Sequence, residues 1–321
     1  MLEKIALLVI GLICLIIGGE FLVRGASRIA LRARISPLVV GLTIVAFGTS
    51  APELLISLRS ALAGSPDMAM GNVIGSNICN LALVLGLTAI VSPIYVQRST
   101  IRIDWPMTMG SSLLLYLLMR EGYINSYEGI LFVTILVFYT IFIVRKSRKD
   151  NAMIESIESD LNPDEVTQSG WAKLTDVGLI LGGGTGLYFG SEWFVGSAQS
   201  LAEAMGVSER IIGLTILALG TSLPEMVTAI VAAMKKQTDI ALGNLMGSNI
   251  FNILSILGIT SMVTRIEVSD VILQQDVIWM LGITLILFPL MLYNKRKLAW
   301  KEGVLMLVIY SVYAYNLIFL E

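Results

Sequence analysis

Two glutamates stand where a carboxylate is costly. Glu53 closes the segment Thr49-Ser50-Ala51-Pro52-Glu53, and Glu225 closes Thr221-Ser222-Leu223-Pro224-Glu225, 172 residues further on; each lies within a run of apolar residues. An ionisable group in a membrane span is expensive, so its presence at equivalent points of both halves marks an ion or substrate path. On a helix of about 3.6 residues per turn, Ala46, Thr49, Ser50 and Glu53 fall at i, i+3, i+4 and i+7 and line one face, and Ala218, Thr221, Ser222 and Glu225 do the same. Each glutamate follows a proline, which lacks an N–H and crowds the carbonyl four residues back. The helix should therefore kink, and the carbonyls of Gly48 and Gly220 should be free to face an ion. Carboxylate, hydroxyl and carbonyl make an all-oxygen donor set, which suits hard cations such as Ca²⁺ and Na⁺ rather than soft metals. No basic residue near mid-span is placed to neutralise either glutamate.

A second pair of segments follows at the same offset, Gly71-Asn72-Val73-Ile74-Gly75-Ser76-Asn77-Ile78-Cys79-Asn80 and Gly243-Asn244-Leu245-Met246-Gly247-Ser248-Asn249-Ile250-Phe251-Asn252. Asn72, Ser76 and Asn80 are spaced by four, as are Asn244, Ser248 and Asn252, giving each helix a polar stripe. Those residues, with Asn77 and Asn249, serve either ion contact or hydrogen bonding between helices. Gly71, Gly75, Gly243 and Gly247 form small-xxx-small patterns that suit close packing. Asp67, Asp239, Asp104 and Asp276 read as charges favoured at helix N-termini. Glu20 can pair with Arg24 four residues on, whereas Glu192 has Gly196 there and its role stays open. Cys14 and Cys79 read as small buried side chains.

The elements that must hold these residues follow from composition. Hydrophobic residues make up 55% of the 321 and charged ones 14%, with a mean hydropathy of +0.80, against about a quarter charged in soluble domains. The chain has no histidine, which removes imidazole metal sites and histidine-based catalysis, and it shows no HExxH or GxSxG motif, so no enzyme is expected. A net charge of −2 and the lack of a basic, aromatic-studded stripe speak against nucleic acid. The expected surroundings are a lipid bilayer, and the oligomeric state is left open.

Apolar runs long enough to span fall near 5–24, 37–60, 70–91, 106–119, 125–144, 175–196, 210–234, 241–263, 275–293 and 302–320. The expected fold is an all-α membrane protein of ten transmembrane helices in two five-helix repeats, 1–146 and 174–321, joined by a linker at 147–173. An odd number of spans per repeat inverts the second copy. Glu20-Phe21-Leu22-Val23 returns as Glu192-Trp193-Phe194-Val195, so the first apolar run belongs to the repeat and is not a signal peptide. Lys and Arg gather at Arg28 to Arg34, Arg98 and Arg102, Arg145 to Lys149, Lys173, Lys235 and Lys236, and Lys295 to Lys301, leaving Lys4, Arg59, Arg120, Arg210 and Arg265 for the other side. By the positive-inside rule both termini lie outside the cell membrane and the linker is cytoplasmic.

GTSAPE with GNVIGSNICN, and GTSLPE with GNLMGSNIFN, resemble the two alpha-repeats of the sodium/calcium exchanger family, within the calcium/cation antiporter superfamily, over nearly the whole chain. The resemblance implies four ion sites between the second, third, seventh and eighth helices. Glu53 and Glu225 would hold Ca²⁺ with the carbonyls of Thr49 and Thr221. Ala46, Thr49, Ser50, Glu53 and Ser76 would form one sodium site, toward the cytoplasm, and Ala218, Thr221, Ser222, Glu225 and Ser248 a matching outer one. Asn80 and Asn252 would flank the middle; some members carry Asp at the position of Asn252. The first and sixth helices, with Gly18-Gly19 and Gly182-Gly183-Gly184 plus Gly186, would slide across the core to switch access. No cofactor is implied beyond the transported Na⁺ and Ca²⁺. The readings that compete with sodium/calcium antiport are proton/calcium antiport, potassium-dependent exchange and a cation channel. Members of the proton-coupled group usually show Asn-Ala where this chain has Thr49-Ser50 and Thr221-Ser222, and a channel would need a carbonyl-lined filter loop that the sequence lacks.

Overall fold

Apolar backbone away from water must satisfy its own N–H and C=O groups, and these runs do so as helices. The computed structural model describes residues 2–158, 170–205, 218–293 and 295–319. In chain order, α1 is Leu2–Ala33; α2 has two arms, Pro37–Thr49 and Ala51–Leu62, bent by 46°; α3 is Pro66–Val91. The π turn Thr100–Asp104 continues as Trp105–Met119 to make α4, and α5 is Ser126–Glu158. The second half has α6, Gly170–Ala204; α7, described as Ala218–Gly220 and Leu223–Met234; α8, Thr238–Val263; α9, Ile272–Leu292; and α10, Trp300–Phe319. Five of these helices are long and apolar enough to cross a membrane, six with the bent α2. The most apolar stretches of α3 and α8 are 78% and 94% buried, against 28% for α1 and α5, so α3 and α8 form the centre.

Several helices outrun the expected spans. α1 continues to Ala33 and α5 to Glu158, while α6 starts at Gly170, because an apolar run marks what lipid covers and not where backbone hydrogen bonding stops. The start of the expected span 210–234 (residues 210–217) and linker residues 159–169 lie outside the described residues. One expectation is corrected. Asp104 and Asp276 are not helix N-terminal charges: each ends a π turn, Thr100–Asp104 or Ile272–Asp276, that already belongs to the helix. Tyr139 Oη donates to Asp104 Oδ1 at 3.0 Å, and Tyr313 Oη to Asp276 Oδ1 at 3.4 Å, so each carboxylate ties its helix to the last helix of its own half. Asp67 and Asp239 do sit in first turns, and Asp239 also accepts Gln97 Nε2 at 2.7 Å.

Two short strand pairs fix the sense of the halves. β1 (Ile94–Tyr95) pairs antiparallel with β4 (Lys297–Leu298), and β2 (Tyr123–Ile124) with β3 (Ile266–Glu267). Ile94 and Ile266 are equivalent at the 172-residue offset, yet β1 and β2 lie at opposite ends of α4 and β3 pairs with β2. The equivalent strands β1 and β3 are therefore at opposite ends of the molecule, and the halves run in opposite senses.

α1 and α6 lie backbone to backbone. A Cβ on Gly18 would stand 2.8 Å from Gly183 O, one on Gly183 2.6 Å from Leu22 N, and one on Gly190 2.9 Å from Gly11 O. An ion pair reinforces the seam. Asp176, at 1% exposure, takes Arg32 Nε at 2.5 Å and Arg28 Nη1 at 3.7 Å. Removing one member of a buried pair strands the other charge, at a cost of about 3–5 kcal/mol when both are buried; Arg28 is half exposed and Arg32 partly so, which reduces it. Asp176→Asn is expected to lower the thermal unfolding midpoint of the detergent-solubilised protein by several degrees, and an unchanged midpoint would show that the pair does not hold α1 to α6.

Candidate ion-binding site

The break in α2 is local chemistry repeated. Ser50 leaves the helix at φ −87°, ψ 6°, and Ser222 in α7 does so at φ −86°, ψ 4°. In both copies the next arm opens with a residue followed by proline, placed where a missing N–H breaks no helical bond. Glu53 and Glu225 thereby fall in the first turns of new helices, where the unsatisfied N–H groups and the helix dipole favour negative charge. That offers a physical reason for two carboxylates to stand here without a base, although both are fully buried.

Glycines bring the centre together. A Cβ on Gly243 would stand 2.4 Å from Leu38 O, one on Gly247 2.7 Å from Leu42 Cα, and one on Gly41 2.7 Å from Ile240 O. α8 thus lies directly on the first arm of α2, as the packing reading of Gly243 and Gly247 expected, whereas the same reading fails for Gly71 and Gly75, where an added Cβ would meet nothing within 4 Å. At that distance Thr49 Oγ1 donates to Asn244 Oδ1 at 3.1 Å and lies 3.4 Å from Ser248 Oγ. Ser50 Oγ donates to Glu225 Oε1 at 3.0 Å, and Ser248 Oγ reaches the same oxygen at 3.4 Å. Glu53 faces Glu225 closely enough to interact with it.

The two halves differ in what is satisfied. Both oxygens of Glu53, Glu225 Oε2, Ser76 Oγ, Ser222 Oγ, both polar atoms of Asn80 and Asn252 Oδ1 are buried with no hydrogen-bond partner. Buried polar atoms are almost always paired, and an orphan costs about 1–3 kcal/mol. Orphaned oxygens gathered around two carboxylates are a donor set of the kind a hard cation takes. Among the described residues no three acidic or thiol side chains converge on one point, so the remaining donors are neutral oxygens.

The asparagines divide by role. Asn77 Nδ2 donates to Asn249 O at 3.3 Å and Asn249 Nδ2 to Asn77 O at 3.1 Å, a reciprocal clamp between α3 and α8. Asn252 Nδ2 donates to Asn77 Oδ1 at 3.0 Å, leaving its own oxygen free. Asn72 Nδ2 holds α3 to α2 through Ser57 Oγ at 2.9 Å and Glu53 O at 3.3 Å. The carbonyl of Ala46 accepts Ser50 N at 2.9 Å and Thr49 Oγ1 at 3.3 Å. The side-chain surroundings of Ala218 lie outside the described residues. Thr221 is half-buried where Thr49 is fully buried.

The carbonyl of Gly220 is not free to face an ion: it accepts Ser191 Oγ from α6 at 2.8 Å. A neighbouring hydroxyl has filled the vacancy that the proline left. Of the two cysteines, Cys79 is buried as the sequence reading expected, whereas Cys14 is only half-buried. Cys79 and Asn252 open the π turns Cys79–Val84 and Asn252–Leu257. Such bulges recur at functional sites, and here they shift the helix register at the site, which spacing by four cannot anticipate.

Comparisons with known proteins agree with this geometry. Residues 3–145 and 175–319 match the family described as sodium/calcium exchanger protein. The chain is 34% identical to the inner membrane protein YrbG of Escherichia coli, over 92% of this chain and 90% of that protein. It is 30% identical to the sodium/calcium exchanger MaX1 of Methanosarcina acetivorans, over 96% of each. A solved structure of the sodium-calcium exchanger NCX_Mj, soaked with 2.5 mM Na⁺ and 0.1 mM Ca²⁺, superposes with a TM-score of 0.83 at 27% identity, over 100% of this chain and 99% of that one. With both halves matched, the same motif order and the same helical frame, this chain belongs to the sodium/calcium exchanger family.

Proposed function

We propose that the protein exchanges Na⁺ for Ca²⁺ across a membrane, binding the ions between its two inverted halves. The observation that carries this reading is the set of orphaned buried oxygens around Glu53 and Glu225. In the assignment put forward here, Glu53 and Glu225 with the carbonyls of Thr49 and Thr221 take Ca²⁺. Ala46, Thr49, Ser50, Glu53 and Ser76 take one Na⁺, and Ala218, Thr221, Ser222, Glu225 and Ser248 another, with Asn80 and Asn252 flanking the centre. Two ionised carboxylates are neutralised by one Ca²⁺ or by two Na⁺, so the ions exclude one another. An uncompensated pair in a low-dielectric pocket opposes the change of access state, and only the loaded carrier crosses. Movement of α1 and α6 as one body, joined by their glycine seam and by Asp176, would switch the side that is open.

Coupling to Na⁺ is favoured over coupling to protons by the hydroxyls of Thr49, Ser50 and Ser222 at the site. The test is uptake of radioactive calcium by proteoliposomes loaded with Na⁺, with K⁺, or with acidic buffer. Uptake is expected with internal Na⁺ and little with the others; equal uptake from acid-loaded vesicles would replace the sodium reading by the proton one.

The proposed frame has ten spans in two repeats, 1–146 and 174–321, with the 147–173 linker cytoplasmic and both termini outside. Its support is that the segments around β1 and β4 carry Arg98, Arg102 and Lys295 to Lys301, with Arg102 and Lys301 in the first turns of the helices that follow. In intact cells, with Cys14 and Cys79 removed, a membrane-impermeant maleimide is expected to label a cysteine placed near residue 321 and to spare one at position 160. The reverse pattern would invert the assignment.

A further inference from the structure

The sequence leaves Glu192 without a role, and the structure places it opposite a gap. At the end of the molecule that carries β1 and β4, α1 is closed onto α7. A Cβ on Gly19 would stand 3.1 Å from Val227 Cγ1, and Glu20 is ion-paired both with its neighbour Arg24 and with Lys235 Nζ, at 3.1 Å, in the turn after α7. Ser27 Oγ, one more step along α1, donates to Gln237 Oε1 at 2.8 Å.

At the 172-residue offset, Gly19 corresponds to Ser191, Glu20 to Glu192 and Val227 to Leu55. In that second setting the contact is missing. Leu55, Ser191, Glu192 and Arg59 instead line a cavity of 270 Å³ that reaches Pro52 and Thr221 beside the two helix breaks. Arg59 stands one helical turn before Ala63, the position equivalent to Lys235, so it presents a cation from the same end of its arm. Glu192 and Arg59 are both exposed, and among the described residues no ion pair joins them.

We propose that Glu20 with Lys235, and Glu192 with Arg59, are two equivalent ionic latches that engage alternately: the first holds one access path shut in this structure, and the second closes the other path after α1 and α6 shift. The inference rests on the exchange reading for its purpose and on unlike settings of equivalent residues for its substance. An ion pair at a partly exposed position contributes modestly to stability, which suits a contact that must break in every cycle.

The test uses the full chain lacking Cys14 and Cys79, with Leu55→Cys as a reporter in the open cavity, labelled by a small water-soluble thiol reagent in detergent with Ca²⁺ present, so that the loaded carrier is free to change access state. Lys235→Met is expected to slow labelling severalfold, because the first latch no longer favours the state in which Leu55 is accessible; Lys235→Arg should restore the parental rate. Parental labelling of Lys235→Met would overturn the proposal. Arg59→Gln and Glu192→Gln break no ion pair in this structure and so should fold even where Lys235→Met does not. They are expected to keep labelling at or above the parental rate while slowing calcium exchange in proteoliposomes severalfold. Parental exchange rates in both would also overturn it. Labelling needs no gradient, so its failure is distinguishable from failure of the exchange reading, which would appear as absent sodium-driven uptake by the unmodified protein.

Discussion

Glu53→Gln and Glu225→Gln are each expected to reduce sodium-driven calcium uptake to the level of protein-free vesicles, while the purified variants remain monodisperse. The amide keeps the size of the side chain and one oxygen but removes the charge that must balance a divalent ion taken out of water. The structure adds a difference between the two. Glu53 has neither oxygen engaged, whereas Glu225 already accepts from Ser50 and Ser248. Glu225→Gln therefore also disturbs two hydrogen bonds that tie α7 to α2 and α8, and it should lower the thermal midpoint more than Glu53→Gln does. Parental uptake by either variant would remove the central site from these residues.

Gly183→Ala is expected to be strongly damaging although it adds one carbon outside the site. The added Cβ would meet Leu22 N at 2.6 Å and Gly18 O at 2.8 Å, and backbone atoms at that distance cannot turn aside as a flexible side chain would. α1 and α6 must separate, and the overpacking cost of about 1–3 kcal/mol falls on the pair that is proposed to move as one body. A lower unfolding midpoint and strongly reduced exchange should appear together. Gly184→Ala is the control: its Cβ meets nothing within 4 Å, and it should behave as the parent. If the two variants are indistinguishable, the close seam does not govern movement of α1 and α6.

The duplicated motifs were legible because they are local. Proline two residues after Ser50, and again after Ser222, favours a helix break through local backbone chemistry, and the two breaks match within a few degrees. Apolar length gave the helices for the same reason, since lipid leaves the backbone no other partner. It did not give their ends: α4 begins a turn before its expected start, and Asp104 and Asp276 are drawn inside by tyrosines more than thirty residues away.

What the sequence determined by itself is therefore the repeat, the helical class, the oxygen chemistry of Glu53 and Glu225 and the family. Each depends on residues near one another in the chain or on an offset that can be read without coordinates. The tertiary structure alone decided that Gly220 O is capped by Ser191, that Asn77 and Asn249 clamp α3 to α8, and that equivalent residues are unequally engaged. Two nearly identical motifs carry no information about which half is closed. That asymmetry arises from how α1 and α6 rest against the core, a choice made between elements and so absent from either motif alone.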